Sequence, residues 1–167
     1  MKTGLEKMRS SELYTFADPE VNGSARHAKA LRARLQTITA YDDDYRQVME
    51  ELIPHLPKTS TICPPFVCDY GTGIVIGENV FINHNCVMLD GGYIRIGNHT
   101  LIGPNSQFYT PQHPMDVEER RKPQETTYPI TIGEDCWLGA GSCVPGSDHR
   151  QPMHHCCWKR GDQRYPL

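Results

Sequence analysis

From about Thr61 the chain counts in sixes. Aligned, it reads IGENVF (76–81), INHNCV (82–87), MLDGGY (88–93), IGNHTL (96–101), IGPNSQ (102–107), IGEDCW (132–137) and LGAGSC (138–143). An aliphatic residue opens each unit, usually followed by Gly or a small or polar residue. A fixed short period of this kind leaves few folds open and predicts a β-solenoid, with an ordinary sandwich of short strands as the alternative. Each hexad supplies one short strand and a turn, and three hexads make a coil. The aliphatic side chain points inward and stacks on its counterpart in the next coil. Gly or Asn at the corners tolerates the positive φ that a tight turn needs. Each coil touches mainly its neighbours, so an end coil has to be capped.

The first sixty residues follow a different grammar. Residues 5–16 read as a short helix with Leu5, Met8, Leu13 and Tyr14 on one face. Residues 25–38 (ARHAKALRARLQTI) form a second helix from strong helix formers. A third, 42–56, opens on three aspartates suited to the positive end of a helix dipole and ends at Pro54 and Pro57. One later segment breaks phase: YTPQHPMDVEERRKPQETTYP (109–129) is polar and proline-bearing and reads as a loop thrown out of the solenoid wall. The expected organisation is a helical cap over 1–60, the solenoid over 61–146 with its loop at 109–129, and an aberrant, disordered tail over 147–167.

Composition removes other classes. The chain has 167 residues, 38% of them apolar and 22% charged, with a net charge of −3. That is an ordinary globular balance without a basic footprint for nucleic acid. No stretch approaches the ~20 apolar residues of a membrane helix. MKTGLEKMRSSELYTF carries no apolar core of a secretory signal. Seven cysteines are an odd number. Cys63, Cys68, Cys86, Cys136 and Cys143 lie among apolar residues as small core side chains, a usage that fits a reducing cytoplasm better than a disulfide framework.

Three stretches together resemble the maltose/galactoside O-acetyltransferases, a family of hexapeptide-repeat acyltransferases. They are EKMRSSELYTFADPE, the run FVCDYGTGIVIGENVFINHNCVMLDGGYIRIGNHTLIGPNSQFYTPQHPMD, and PITIGEDCWLGAG, spanning about residues 5–146. The resemblance implies a left-handed parallel β-helix and a homotrimer. It also implies transfer of acetyl from acetyl-CoA to a sugar hydroxyl in a cleft between subunits. Neither handedness nor trimer follows from the periodicity alone.

His113, in PQHPM, matches the family's catalytic histidine. A sugar hydroxyl needs a base near neutral pH, and imidazole suits that proton transfer. The neighbouring prolines limit backbone freedom around it. Asn83, in FIN, matches an asparagine that contacts the acceptor and donates to the developing oxyanion; alternatively it is a corner residue in a left-handed conformation. Asp18, Arg26 and Asp69 match sugar-contacting positions, though Asp18 could cap the following segment and Arg26 could be a solvated helix charge. Asp90 either orients the histidine, lines the sugar pocket or is a turn aspartate. Trp137 matches an aromatic of the pantetheine channel, or is a wall residue. Ala140 falls among the acetyl-CoA-binding positions. With no cysteine beside the His113 motif, direct transfer without an acyl-enzyme is expected, and no metal is required.

The tail departs from the repeat after Pro145-Gly146. His149, His154, His155, Cys156 and Cys157 crowd together, but adjacent cysteines without a CxxC pair are poor tetrahedral zinc ligands. Read one base later, DHRQPMHHCCWKRGDQRYP can give TIGNRCIIAAGSVVTKDIP, which resumes the hexads and ends as this family's last coil ends. Some steps have no freedom: Met153-His154 forces cysteine and Trp158-Lys159 forces glycine. A one-base frameshift near Cys143–Pro145 is therefore expected, with a naturally divergent tail as the alternative. Sequencing the locus and its transcript checks it; a shifted frame without hexads ends the idea. The alternative functional reading follows from that shift. On it, the chain is an impaired remnant, or a trimer-interacting subunit, without the last acetyl-CoA-binding turns and with strand edges exposed.

Overall fold

The computed structural model of the chain describes residues 1–146. The readings of the tail, its ligand cluster included, lie outside the described residues.

The cap contains α1 (Gly4–Arg9), β1 (Tyr14–Thr15), α2 (Pro19–Leu35) and α3 (Tyr45–Leu52). Helix α1 stops well short of residue 16. The Ser10 hydroxyl donates back to the Glu6 carbonyl at 2.8 Å, and Ser11 takes φ 60°, which no right-handed helix continues. Leu13 is consequently 50% exposed, while Tyr14 enters β1 and is buried. Helix α2 starts earlier than 25 because Asp18 caps it, accepting from the Glu20 and Val21 amides at 2.9 and 3.2 Å. Pro19 follows at the first turn, where its missing N–H costs nothing. The aspartates before α3 do not cap it: Asp42 accepts from Thr39, and Asp44 pairs with Arg34.

The repeat then winds through β2 (Thr61–Ile62), β3 (Phe66–Cys68), β4 (Ile74–Ile76), β5 (Phe81–Ile82), β6 (Cys86–Leu89), β7 (Ile94–Ile96), β8 (Leu101–Ile102) and β9 (Gln107–Tyr109). An excursion carries β10 (Pro111–Gln112), α4 (Val117–Arg120) and β11 (Gln124–Thr127). The coil resumes with β12 (Ile130–Ile132), β13 (Trp137–Leu138) and β14 (Cys143–Pro145). Among the described residues these make three parallel sheets, in the orders β13-β8-β5-β2, β14-β9-β6-β3 and β12-β7-β4. The chain thus visits each face once per turn, and the molecule is mainly β with parallel sheets.

Each face stacks its own ladder of inward side chains. Ile62, Ile82, Ile102 and Leu138 are in register on one face, Cys68, Met88, Phe108 and Val144 on the second, and Ile76, Ile96 and Ile132 on the third. All are buried, and burial of each large aliphatic or aromatic member contributes about 1.5–3 kcal/mol.

Positive φ falls on the fourth residue of the hexads, at Asn79, Asn85, His99, Asn105, Asp135 and Gly141. The glycine in second place has a different duty. A Cβ on Gly77 would stand 2.5 Å from the Asn98 Oδ1, and one on Gly97 2.6 Å from the Gly133 carbonyl carbon. Glycine there lets consecutive coils approach. Among the cysteines, Cys68, Cys86 and Cys136 are core residues as expected, whereas Cys63 is half-buried and Cys143 exposed. Strand alternation explains Cys143: Val144 takes the inward position of β14.

The segment 109–129 is more than a loop. Strands β10 and β11 pair antiparallel, and β1 of the cap adds to the other edge of β11, setting Tyr14 opposite Glu125. Among the described residues no helix is long and apolar enough to cross a membrane.

Candidate active site

Two corners of the coil carry most of the candidate residues. The first follows β3 and β6, where the excursion also leaves the wall. Asp90 is fully buried there. Its Oδ1 accepts from the amides of Asp69 and Tyr70 at 3.0 and 2.8 Å, and its Oδ2 from that of Gly73 at 2.9 Å. Arg9 reaches in from α1, donating to the carbonyls of Asp90 and Gly91 and to the Thr72 hydroxyl. Its guanidinium lies 5.7 Å from the Tyr70 ring and 5.3 Å from that of Tyr93. Asp90 therefore bridges two coils and the cap, as its turn-aspartate alternative expects. The carboxylate within 4.0 Å of His113 is a different one.

That carboxylate is Glu125. His113 lies between β10 and α4 with its side chain 58% exposed, its Nε2 3.8 Å from Glu125 Oε2. The Glu125 side chain is only 13% exposed, and Tyr14 donates its hydroxyl to Glu125 Oε1. Asp69 joins this group. Burial first, then the charges of Asp90 and Glu125, push its carboxyl up to about 6. Glu125 was invisible in the sequence because a glutamate in a polar loop carries no signal. The alternation that aims it at His113 exists only once β1 and β11 pair.

Asn83 stands at the second corner, between β5 and β6. Its backbone amide donates to Ile102 O at 3.0 Å. Its Oδ1 accepts from the His84 amide at 2.8 Å, which leaves Nδ2 as the donor the side chain has to offer. The left-handed corner residue is Asn85, not Asn83. Ala140 lies two coils away on the same edge, its amide nitrogen 2.7 Å from where a Cβ on Gly103 would sit. Trp137, 53% exposed, faces outward on β13 in register with Leu101 and Phe81, which are also exposed.

The four residues of β6 separate the two corners, about 13 Å at strand rise. One chain thus gathers His113, Asp69 and Asp90 at one edge, and Asn83, Trp137 and Ala140 around another. The two sets thus depart from different corners of the coil. Asp18, besides capping α2, lines a groove with Lys7, Tyr14, Thr15 and Gln124, and Arg26 is exposed on α2. Among the described residues no group of three or more His, Cys, Asp or Glu side chains could hold a metal ion.

Comparison with known proteins agrees with this architecture. A family model described as the hexapeptide repeat of succinyl-transferase matches residues 129–146. Nodulation protein L of Rhizobium meliloti is 37% identical over 147 residues, covering 87% of this chain and 80% of that protein. A hexapeptide-repeat-containing acetyltransferase of Vibrio cholerae, solved with acetyl coenzyme A, superposes with a TM-score of 0.79 at 36% identity over 87% of this chain and 79% of that one. A maltose O-acetyltransferase from Clostridium difficile superposes with a TM-score of 0.82 at 29% identity, covering 87% of this chain and 78% of its own.

Proposed function

The chain belongs to the maltose/galactoside-type hexapeptide-repeat acetyltransferases, and from that premise we propose that it transfers acetyl from acetyl-CoA to a sugar hydroxyl with His113 as general base. The observation that carries this reading is the His113 imidazole, solvent-accessible yet 3.8 Å from a largely buried carboxylate. In the reaction, His113 takes the hydroxyl proton as the hydroxyl oxygen bonds to the thioester carbonyl carbon. Asn83 Nδ2 donates to the oxyanion of the tetrahedral intermediate. Its collapse breaks the carbon–sulfur bond, and the imidazolium returns the proton to the departing CoA thiolate. The products are an acetyl ester and CoA. Asp69 accepts from acceptor hydroxyls, with Asp18 and Arg26 at the cap side of the acceptor. Trp137 and Ala140 contact acetyl-CoA.

Geometry also supports the trimer. His113 and Asn83 occupy different edges of one coil, so a working site needs the first edge of one copy against the second edge of another. Repeating that head-to-tail contact can close a ring, and the family resemblance implies three copies. The outward apolar column Phe81–Leu101–Trp137 flanks the Asn83 edge and suits burial there. The coil is taken to wind left-handed, as the family resemblance implies.

An acetyl-CoA-dependent CoA-release assay with glucose, maltose and a galactoside as acceptors tests the reading, with His113→Ala as control. A His113→Ala rate equal to that of the unaltered chain rejects it. That same result favours the second reading, an impaired subunit, which the loss of hexads after Gly146 motivates.

A further inference from the structure

We propose that His84 is a positioning residue for Asn83: its imidazole, bonded to the Pro64 carbonyl of the preceding coil, locks the peptide that aims the Asn83 side-chain amide at the oxyanion. The inference rests on Asn83 acting as the oxyanion donor. Its separate content is that the next residue's side chain decides where that donor points.

The geometry starts from one hydrogen bond. His84 Nδ1 lies 2.6 Å from the Pro64 carbonyl oxygen. A carbonyl oxygen only accepts, so the hydrogen of the neutral ring sits on Nδ1 and Nε2 carries the lone pair. An imidazolium also keeps a hydrogen on Nδ1, so the contact persists in both charge states. The backbone of His84 is held as well. Its amide donates to Asn83 Oδ1 at 2.8 Å, and its carbonyl accepts from the Asn105 amide of the following coil at 3.0 Å. Ring, amide and carbonyl tie this exposed residue to the coils before and after its own.

Asn83 takes its direction from that frame. With Oδ1 on the His84 amide, Nδ2 points where the His84 peptide directs it. An oxyanion donor works only when its hydrogen already points where charge develops, and a misplacement of about 1 Å can cost on the order of 100-fold. The stacked positions do not supply the same contact. Pro64 and Pro104 occupy the place of His84 after β2 and β8, and proline has no side-chain donor. The Asn85 amide donates to the Pro65 carbonyl at 2.9 Å, a bond that stays when His84 is replaced and keeps the corner folded.

The test compares the full chain with His84→Leu and His84→Asn, each alone and combined with Asn83→Ala. Leucine removes the donor. Asparagine restores it, since its Nδ2 is bonded to Cγ as imidazole Nδ1 is. The expected kcat is lower by about 10- to 50-fold in His84→Leu and within about threefold in His84→Asn, with KM for acceptor and acetyl-CoA within about twofold. In the Asn83→Ala background His84→Leu should cost less than about twofold, because the group it positions is gone. An equal fall in both backgrounds shows that His84 acts by another route, and the proposal fails. It fails as well if His84→Leu leaves kcat unaltered, or if His84→Asn is as slow as His84→Leu. An Asn83→Ala kcat equal to that of the unaltered chain removes the oxyanion role and this proposal with it, while His113→Ala still tests the base on its own. Nitrogen NMR gives a readout that needs no turnover. Imidazole shifts should place the His84 hydrogen on Nδ1. The Asn83 side-chain amide, assigned by its loss in Asn83→Ala, should give one ordered signal that broadens in His84→Leu and returns in His84→Asn. A neutral ring with its hydrogen on Nε2, or an Asn83 signal unchanged in His84→Leu, overturns the proposal whether or not the chain turns over.

Discussion

Arg9 holds its guanidinium 3.9 Å from the carboxylate of Asp90, joining the first helix of the cap to a corner of the coil. Replacing Asp90 by alanine strips three backbone amides of their acceptor and leaves Arg9 facing only carbonyls, a hydroxyl and rings. The expected cost is about 3–5 kcal/mol. Chemical denaturation measures it, and a loss below about 1 kcal/mol contradicts the bridging role.

Asp69 titrates higher folded, at about 6, than unfolded, near 3.8. A raised carboxyl means the folded state binds the extra proton, so stability falls as pH rises between those values and the penalty is complete above 6. Asp69→Asn should flatten that slope and gain about 3 kcal/mol at pH 8, while weakening acceptor binding if Asp69 holds a sugar hydroxyl. Melts from pH 4 to 8 read the first effect and acceptor KM the second. An unchanged slope rules out the buried-carboxylate account.

Asn83→Ala removes the proposed oxyanion donor and should lower kcat by about 10²- to 10³-fold. Because Asn83 and His113 lie on separate edges, mixing Asn83→Ala with His113→Ala chains, unfolded and refolded together, should restore activity. A mixed assembly then contains sites with both residues intact. No recovery argues for a site within one chain.

Asn79 sits at φ 56° on an exposed corner. A β-branched residue is strained there, so Asn79→Val is expected to lose about 1–2 kcal/mol relative to Asn79→Gly. Thermal melts of the two variants compare them directly. Equal stability removes the conformational reason for Asn, Asp or His at the fourth place of the hexads.

The hexads, the helical cap, the out-of-phase excursion and the family resemblance were all legible in the residues, because side-chain periodicity and local backbone preference act over a few residues. His113 could be singled out from its motif. Glu125 could not, since its place depends on β1 leaving the cap to pair with β11 across 111 residues of sequence. Asp90 shows the same limit: nothing local distinguishes a catalytic aspartate from one that anchors three amides. The sequence by itself determined a coil of short strands with an inward aliphatic ladder, since a six-residue period turns one aliphatic side chain per strand toward a common interior. Only the tertiary structure decided which carboxylate faces His113, and that Asn83 lies on another edge, because long-range strand pairing sets those distances and no local preference encodes them.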